Sequence, residues 1–451
     1  MFKKLYLSCI LVCFTFIAAI AFPPNPLISK LKPAFASFSG PVDKLVDGIF
    51  GPVGWEAPAA ESWMAINVGE GPETVLLIWN TTNSNWADSL GSPGDCAQYK
   101  PVPKAYTIQT SSNSTNGDDG DWNDCIAITD NVVAARGHQV AFTGASWIKM
   151  VITDGERSKI DEIEVFDITH GDYDTWFFAG TSISQMTFKD LIQEKNFAHF
   201  INEWNSDYTP AFIRGGIGCI TLAGMRNDIK KYIEYGGSVK HFCIEIGTND
   251  AWGGSNSGAK NFGIRLQRVI DSCVYYGIQP IIARTLATNE AKAGWQVHED
   301  YLTVIDSLTT ANNLHPGPDF YGYFIDHPEE LANDGVHPNT TGAGSIQRLW
   351  AECVEPLYAQ TTIEKQRQGK LPDNTQPMIY ALSTSGGIIR FSAMHEGIVS
   401  IFTVGGKEIV RKSCGIGLNT LRTLPHGCYI LRYTGNNTAT TIHPFIATDR
   451  S

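Results

Sequence analysis

Short runs of alternating apolar and polar residues dominate the first third of the chain, from about residue 35 to residue 168. Examples are TVLLIW (74–79), AYTIQT (105–110), SWIKMVI (146–152) and IDEIEVFD (160–167). Clusters of Gly, Asn, Ser and Asp separate the runs, including the polar stretch SSNSTNGDDGDWND (111–124). Regularly spaced short strands with turn signals are typical of antiparallel sandwiches. We therefore predict a β-sandwich (jelly roll) over 35–168.

From about 172 to 360 the pattern changes to apolar strands that alternate with amphipathic helices. WFFAG (176–180), HFCIEIG (241–247) and IQPIIAR (278–284) are continuous apolar runs. Between the last two, apolar residues recur at helical spacing, namely Phe262, Leu266, Val269, Ile270 and Cys273. Such alternation predicts an α/β domain over 172–360, with a parallel sheet in a three-layer α/β/α arrangement.

The last part of the chain begins with a polar stretch, TTIEKQRQGKLPDNTQP (361–377), which contains a glycine and two prolines. This composition indicates a linker. Beyond it, IIRFSA, GIVSIFTVGGKEIVRKS and GCYILRYTG indicate strands, and VGGK (404–407) is a hairpin-turn sequence. We predict a small β-sandwich module over 378–447.

The first 21 residues, MFKKLYLSCILVCFTFIAAIA, carry two lysines, an apolar stretch and a small-x-small end. This pattern predicts a secretory signal peptide (1–21) that is cleaved before Phe22. One alternative is a retained anchor. The other is a lipoprotein signal with lipidation at Cys13, and Val12 disfavours it because valine is a poor residue before a lipidated cysteine. No later stretch is long and apolar enough to span a membrane. We expect a secreted protein, extracellular or at the cell surface.

Composition and charge narrow the functional classes. The chain has 451 residues, of which 43% are apolar, which suits domains with sizeable cores. Its formal net charge is −12, and removal of Lys3 and Lys4 with the signal peptide makes it more negative. Nucleic-acid binding requires a basic face, so we expect no nucleic-acid partner.

Eight of the ten cysteines lie beyond the predicted signal peptide. An exported protein can form disulfides, and no Cys/His spacing typical of zinc is present. We expect structural bridges or buried thiols, no metal, and no cysteine nucleophile. The eight fall into three regions: Cys96 and Cys125, then Cys219, Cys243, Cys273 and Cys353, then Cys414 and Cys428.

Polar residues follow the predicted strands of the α/β domain. Ser182 comes directly after WFFAG, Gly218 lies in RGGIG, and Asn249 lies in GTND after HFCIEIG. Asp334 and His337 lie in ANDGVHPNTTG, before a predicted helix near residue 342. Ligands of open α/β sheets bind beyond the carboxyl ends of the strands. These five residues can therefore meet at one edge of one sheet.

This set of residues has the groups that acyl transfer requires. A serine hydroxyl becomes nucleophilic when a histidine takes its proton, and a carboxylate orients that histidine. We predict Ser182 as the nucleophile, His337 as the base and Asp334 as its partner. The oxyanion hole would consist of the N–H groups of Ser182 and Gly218 and the side-chain amide of Asn249.

Each of these residues also has an ordinary structural interpretation. Serine is a favoured helix N-cap, and Asn and Asp are favoured in turns. The structural alternatives are Ser182 as an N-cap, His337 as a turn residue before Pro338, Asn249 and Asp250 as turn formers, and Gly215 or Gly216 in place of Gly218.

Taken together, four segments resemble the conserved blocks of the SGNH (GDSL-type) hydrolase family, in order along 172–360. The segments are Gly180-Thr181-Ser182, Gly218 followed by Gly224, Gly247-Thr248-Asn249-Asp250, and Asp334-Gly335-Val336-His337. The resemblance implies the same triad and the same oxyanion donors. One position departs from the family, since Thr181 stands where Gly-Asp-Ser has its aspartate.

The first region resembles discoidin-like (F5/8 type C, galactose-binding-like) modules. The resemblance rests on ASFSG (36–40), LVDGIFG (45–51), the Trp55 and Trp63 segments and IDEIEVFD (160–167). It implies glycan binding and a structural Ca²⁺ near the first loop, to which Asp47 would contribute. Trp86 and Trp122 lie in polar loops and are candidates for stacking on sugar, or else they cover loops. We expect Trp55, Trp63 and Trp147 in the core.

The C-terminal module resembles sorting domains of the type IX secretion system, on GIVSIFTVGGKEIV (397–410), GLNTLRTLPHGCYILRYTG (417–435) and TIHPFI (441–446). The resemblance implies secretion machinery as a partner, and the alternative is an adhesion domain.

Taken together, these resemblances lead us to expect a secreted serine esterase that hydrolyses O-acyl, particularly O-acetyl, esters on polysaccharide and requires no cofactor. The alternatives are a lipase or thioesterase of the same fold, and a non-catalytic glycan-binding surface protein.

Overall fold

The computed structural model describes residues 23–90, 96–98, 100–155 and 157–358. In the C-terminal region it describes 379–385, 388–393, 396–403, 407–415, 417–421, 427–435 and 440–447. The predicted signal peptide (1–21), the linker (361–377) and the hairpin turn at 404–406 lie outside the described residues. Within the part described, no helix is both long enough and apolar enough to cross a membrane.

The first region forms two antiparallel sheets with strand orders β1-β3-β8-β5-β6 and β2-β9-β4-β7. The strands are Ala34–Ala36 (β1), Trp55–Glu56 (β2), Ser62–Asn67 (β3), Thr74–Thr81 (β4), Ala105–Ser111 (β5), Asn123–Ile128 (β6), Ala135–Ala141 (β7), Trp147–Asp154 (β8) and Lys159–Asp167 (β9). One apolar core lies between the sheets, with Met64 and Ile108 on one side and Val75, Leu77 and Val165 on the other. The antiparallel sheets are as predicted, and the jelly-roll form stays a prediction.

The middle region contains a parallel sheet with the order β11-β10-β12-β13-β14. Its strands are Thr175–Gly180 (β10), Ala211–Gly216 (β11), His241–Glu245 (β12), Gln279–Arg284 (β13) and Pro316–Asp319 (β14). Its α-helices are Ser182–Gln185 (α1), Phe197–Trp204 (α2), Leu222–Gly236 (α3), Ala259–Tyr275 (α4), Glu290–Ala293 (α5), Glu299–Ala311 (α6), Phe320–Asp326 (α7) and Thr340–Val354 (α8). A π-helical turn, Met186–Asp190, follows α1.

Helices cover both faces of this sheet because successive side chains of each strand point to opposite faces. In β10, Phe177 packs with α3, α4 and α6 on one face, while Trp176 and Phe178 pack with α2, α7 and α8 on the other. Every residue of β10 and β12 is buried. The prediction of a parallel sheet with helices on both faces is confirmed.

The β-sandwich region and the α/β domain share an apolar core. Leu76 and Ile78 of β4 and Ala135 of β7 belong to the same buried cluster as Phe177 and Ile213 of the parallel sheet. Lys189 also forms a buried ion pair with Asp161 of β9, and its ammonium donates to Gly51 O at 2.8 Å. The two regions are therefore packed together as one body rather than joined by a flexible connection.

The C-terminal region forms two antiparallel sheets, β15-β16-β19 and β18-β17-β20-β21. The strands are Ile379–Ser385 (β15), Ile388–Ala393 (β16), Gly397–Thr403 (β17), Glu408–Cys414 (β18), Gly417–Leu421 (β19), Gly427–Gly435 (β20) and Thr440–Ala447 (β21). Phe391 of β16 and Val399, Ile401 and Leu431 of β17 and β20 form one buried cluster. A small antiparallel β module is thus present where the sequence predicts one.

Candidate active site

Ser182 lies on a tight turn between strand β10 and helix α1. The N-cap of α1 is Thr181, whose Oγ1 accepts a hydrogen bond from the N–H of Ile183 at 3.2 Å. Ser182 is the first helical residue, so its hydroxyl does not cap the helix. The N-cap role therefore belongs to Thr181, and the hydroxyl of Ser182 is available for another partner.

A buried carboxyl group beneath this turn holds it in place. Oε2 of Glu245 accepts hydrogen bonds from Thr181 N at 3.0 Å, Thr181 Oγ1 at 2.9 Å and Ser184 Oγ at 3.1 Å. Burial raises the pKa of Glu245, and these donors act in the opposite direction. Gly180 is required here, because a Cβ at that position would lie 2.0 Å from Ser184 Oγ.

Ser182, His337 and Asp334 form a continuous chain of hydrogen bonds. Ser182 Oγ lies 2.8 Å from His337 Nε2, and His337 Nδ1 lies 2.7 Å from Asp334 Oδ2. The other carboxylate oxygen of Asp334 accepts the N–H groups of Val336 at 2.9 Å and His337 at 3.0 Å. The structure thus brings together the three residues predicted as the triad, across 155 positions of sequence between Ser182 and His337.

The charge state of Asp334 fixes the tautomer of His337. Partial burial acts to raise the pKa of Asp334, but the hydrogen bonds from Val336 and His337 outweigh it, and its pKa is lowered. An ionised carboxylate only accepts hydrogen bonds, so the proton of His337 lies on Nδ1. Nε2 then carries the lone pair that faces the hydroxyl of Ser182, which is the arrangement for general-base catalysis.

The loop with Asp334 and His337 is held by backbone hydrogen bonds within itself and to the start of α5. Ala332 N donates to His337 O at 2.8 Å, which closes the loop on itself, and Asn289 N donates to Gly335 O at 2.7 Å. Helix α8 begins at Thr340, and its N-cap Asn339 accepts the N–H of Gly342 at 3.1 Å. His337 is therefore a turn residue as well as the partner of Ser182.

Asn249 lies in the turn after β12, and its side-chain amide faces the loop after β11. Asn249 Nδ2 donates to Ile220 O at 2.8 Å, and the amide carries a second hydrogen that can serve an oxyanion. The neighbouring Asp250 accepts the N–H of Leu222 at 2.9 Å, at the start of α3. The turn-forming role of Asp250 and the donor role of Asn249 are thus both compatible with the structure.

Gly218 differs from the prediction. Its N–H donates to the side-chain oxygen of Asn85 at 2.8 Å, so this donor is already used by the protein. Gly215 and Gly216 do not replace it, since both lie inside β11, paired with Ala179 and Gly180. The two glycines are needed for packing, because a Cβ at Gly215 would lie 2.1 Å from a ring atom of Phe177.

The sandwich region reaches this site through Asn85, which the sequence did not indicate, and through Cys96, whose partner it did not indicate. Asn85 contacts Gly218, and Cys96 forms a disulfide with Cys219, the next residue. The disulfide joins a cysteine of the first region to one of the second. The positions of the cysteines along the chain therefore do not predict the bridge. Among the described cysteines, Cys125, Cys243, Cys273, Cys353 and Cys414 are free thiols.

Trp86 is a core residue, and its prediction as a sugar-binding residue is wrong. Its side chain is fully buried, with ring contacts to Phe177, Tyr232 and Tyr235. The indole N–H donates to Ala135 O at 2.7 Å. Neither ring face is available to a ligand, and the residue joins the sandwich region to the α/β domain.

Trp122 remains a candidate for glycan binding. It is half-buried, its N–H donates to Asp119 O at 2.9 Å, and the ammonium of Lys149 lies 3.6 Å from its ring centroid. Trp55 and Trp147 are buried as expected, while Trp63 is only half-buried and lies 4.9 Å from the same ammonium. Lys149 is therefore shared between the two partly exposed indoles.

The surroundings of Asp47 do not fit the expected Ca²⁺ site. One carboxylate oxygen accepts the ammonium of Lys44 at 2.8 Å, and the other accepts the N–H of Ile49 at 2.9 Å. A calcium ion needs six to eight oxygen ligands. A lysine ammonium on the carboxylate occupies the position of the cation.

An aromatic pair, one member of it exposed and the other half-buried, lies in two loops at the carboxyl edge of the sheet. Trp252 follows Asn249 by three residues and is 57% exposed, with its ring centroid 5.1 Å from that of Trp295. Trp295 follows α5, the helix whose N-cap residue Asn289 donates its N–H to Gly335 O in the loop that contains Asp334 and His337. Both loops follow strands at the carboxyl edge of the sheet. Trp252 was not predicted from the sequence, where only its place in the glycine-rich stretch AWGGSNSG (251–258) could have indicated it.

No family model and no curated protein sequence matches the chain. Among solved structures, it is similar to the lipase/acylhydrolase from Enterococcus faecalis, at 17% identity over 40% of this chain and 95% of that chain, with a TM-score of 0.33. An acetylxylan esterase from Geobacillus stearothermophilus is 15% identical over 41% and 94%, also with 0.33. A chitosan-binding module from a Paenibacillus chitosanase/glucanase is 22% identical over 31% and 98%, with 0.23.

Proposed function

We propose that the protein is a serine esterase that uses Ser182, His337 and Asp334 to hydrolyse O-acyl esters. The observation that carries this proposal is the hydrogen-bond chain from Asp334 through His337 Nδ1 and Nε2 to Ser182 Oγ, at 2.7 and 2.8 Å. A structural serine or turn histidine does not require this alignment of three groups. Activation of a hydroxyl nucleophile does require it.

In the first half-reaction, Ser182 Oγ attacks the ester carbonyl while His337 Nε2 takes its proton. Asp334 stabilises the imidazolium that forms, and Asn249 donates its free amide hydrogen to the developing oxyanion together with the N–H of Ser182. His337 then passes the proton to the leaving alcohol oxygen, which leaves an acyl-Ser182. Water, activated by the same histidine, releases the acid and restores the serine.

We further propose that the alcohol is a sugar hydroxyl of a polysaccharide and that the acyl group is acetyl. The exposed Trp252, which packs against the half-buried Trp295, supports a carbohydrate, because an accessible indole face stacks on the apolar face of a pyranose ring. Trp252 lies three residues from Asn249, so a ring bound there would be close to the reacting ester. The predicted glycan-binding role of the sandwich is part of the same proposal.

The proposal includes export. The predicted signal peptide would direct secretion and the C-terminal module would engage secretion machinery, so that the enzyme would meet extracellular polymers. N-terminal sequencing of secreted protein should begin at Phe22. A mature protein that begins at Cys13 would instead indicate a lipoprotein.

Hydrolysis of p-nitrophenyl esters tests the chemistry. Wild type should hydrolyse the acetate ester faster than esters of longer acids, and Ser182→Ala should lose about 10⁶-fold in kcat. Ser206→Ala, an exposed serine before β11 at the opposite edge of the sheet, is the matched control and should match wild type. Equal rates in wild type and Ser182→Ala would contradict the mechanism, and a preference for long acyl chains would favour a lipase.

Release of acetate from acetylated xylan, pectin and chitin tests the substrate class. Trp252→Ala should raise KM for acetylated oligosaccharides and leave p-nitrophenyl acetate hydrolysis unchanged. Trp204→Ala is the control, since Trp204 is 42% exposed at the end of α2 and precedes the amino end of β11. An equal effect of both variants would contradict a sugar site at Trp252.

A further inference from the structure

A segment of the sandwich region, residues 83–90, lies directly against the loop after β11, and Cys96 is bonded to the same loop. Trp86 N donates to Gly216 O at 2.9 Å, Asn85 Oδ1 accepts the N–H of Gly218 at 2.8 Å, and Cys96 is bonded to Cys219. The loop is next to Ser182 because Ile217 N donates to Gly180 O at 2.9 Å. Two consecutive residues beside the nucleophile are thus held by the other region of the protein.

The side chain of Asn85 is locked in one orientation. Its Nδ2 donates both to Asp88 Oδ1 and to Cys96 O, each at 2.9 Å, so its two amide hydrogens are used. Its oxygen must therefore face the N–H of Gly218, and the side chain is 3% exposed. Every polar atom of the Asn85 side chain therefore has a protein partner.

The loop that Asn85 supports is a strained turn. Ile220 N donates to Ile217 O at 3.4 Å, and Cys219 at the third position has a φ of +58°. Non-glycine residues seldom adopt this left-handed conformation, and they keep it only where the surroundings impose it. The bond to Gly218 and the disulfide of Cys219 are two such constraints. Asn249 Nδ2 provides a third, on Ile220 O.

We propose that Asn85 and Cys96 are positioning residues that hold this turn so that the N–H of Cys219, rather than that of Gly218, serves the oxyanion. The inference rests on the proposed esterase function. Gly218 N–H is used by Asn85, and the geometry points to the next amide of the turn. The sandwich region then has a catalytic role in addition to any binding of glycan, because it completes the oxyanion hole of the α/β domain.

Kinetics of Asn85→Ala on p-nitrophenyl acetate test the proposal. Misplacement of an oxyanion donor by about 1 Å costs about 10²-fold, so kcat should fall by about that factor with little change in KM. Cys96→Ser removes the other support and should also lower kcat. In both variants the apparent pKa of the base in the pH–rate profile should stay at its wild-type value, because the chain from Asp334 to Ser182 is untouched.

Asn83→Ala is the matched control. Asn83 is a buried amide in the same segment, and its Nδ2 donates to Pro101 O at 3.2 Å inside the sandwich region. Asn83→Ala should keep the wild-type kcat even if its melting temperature is lower than that of wild type. If Asn85→Ala or Cys96→Ser has the same melting temperature as Asn83→Ala but a lower kcat, the loss is due to misplacement of the turn and not to general destabilisation.

Three outcomes would overturn the proposal. Wild-type kcat in both Asn85→Ala and Cys96→Ser would make the contacts purely structural. A raised kcat in Asn85→Ala would show that Gly218 N–H is the donor and that Asn85 blocks it. Retained activity in Ser182→Ala would overturn this proposal and the esterase proposal together. If Ser182→Ala is inactive, the first two outcomes overturn only the positioning role of Asn85 and Cys96, and the esterase proposal stands.

Discussion

At the scale of single residues, the proposed triad depends on short-range geometry within one loop and on one contact across the sheet edge. Asp334 and His337 are three residues apart, and their mutual hydrogen bond follows from a local turn. The contact of His337 with Ser182 depends on the whole parallel sheet. The sequence could indicate all three because strand ends of a parallel sheet meet at one edge.

Asn85 could not be found in this way. It lies 133 residues from Gly218, in a region predicted as a separate sandwich, and nothing local distinguishes it from a loop asparagine. Trp86 was misassigned for the same reason, since this tryptophan in a polar stretch is buried by contacts with Phe177, Tyr232 and Tyr235 far along the chain. Both errors concern contacts between regions rather than local patterns.

Asp250 gives a pH prediction. Burial raises its pKa from 3.8 to about 6, although the N–H of Leu222 acts to lower it. Between these values the folded protein keeps a proton that the unfolded chain has released. The free energy of unfolding therefore falls as pH rises through this window, by up to about 3 kcal/mol.

Asp250→Asn does not titrate, and its amide oxygen can still accept the N–H of Leu222. Between pH 4 and pH 7 its free energy of unfolding should therefore fall less than that of wild type. Urea denaturation at the two pH values measures the difference. Identical changes in wild type and variant would show that Asp250 does not carry the raised pKa.

At the scale of elements, the turn between β10 and α1 explains the departure at Thr181. The hydroxyl of Thr181 donates to Glu245 and accepts from Ile183 N, so it links the strand β12 to the start of α1. A carboxylate at position 181 would lie beside the buried carboxyl of Glu245. The threonine is therefore consistent with a glutamate at position 245, a relation that the resemblance to Gly-Asp-Ser sequences did not indicate.

Thr181→Asp should destabilise the protein by about 3–5 kcal/mol at pH 7, because it introduces a buried charge without a partner. Thr181→Ser keeps the hydroxyl and should cost about 1 kcal/mol. The loss in Thr181→Asp should shrink at pH 5, where the two carboxyls can share a proton. Chemical denaturation at both pH values measures this, and equal stability of the two variants would contradict the account of the turn.

The hydrophobic pattern predicted the element types well, and it also contained a signal of the shared core. β4 is buried at every position from Val75 to Thr81, which fits its nearly continuous apolar run rather than strict alternation. Such a run indicates a strand covered on both faces. The prediction of a sandwich strand left out the second packing partner of β4, because Leu76 and Ile78 face the α/β domain.

At the scale of the whole molecule, the sandwich region and the α/β domain should unfold together. They share an apolar core, a disulfide, and the buried pair of Lys189 and Asp161, whose side chains are 2% and 0% exposed. Deletion of residues 35–168 would therefore expose the core of the α/β domain. It cannot serve as a clean test of glycan binding by the sandwich.

Asp161→Asn should lower the free energy of unfolding by about 3–5 kcal/mol, because it leaves the ammonium of Lys189 buried without its counter-charge. Glu203→Gln in the exposed pair with Lys195 is the control and should cost about 1 kcal/mol or less. Both variants should unfold in one transition by fluorescence and by loss of esterase activity. Two separate transitions would show that the regions are independent.

The central claim is that Ser182 is a nucleophile activated by His337, and covalent labelling tests it most directly. Treatment with a fluorophosphonate, followed by mass spectrometry of peptides, should show one adduct on the peptide that contains Ser182. The labelling should be absent in Ser182→Ala and strongly slowed in His337→Ala. No adduct on wild type, or the same adduct in Ser182→Ala, would contradict the account.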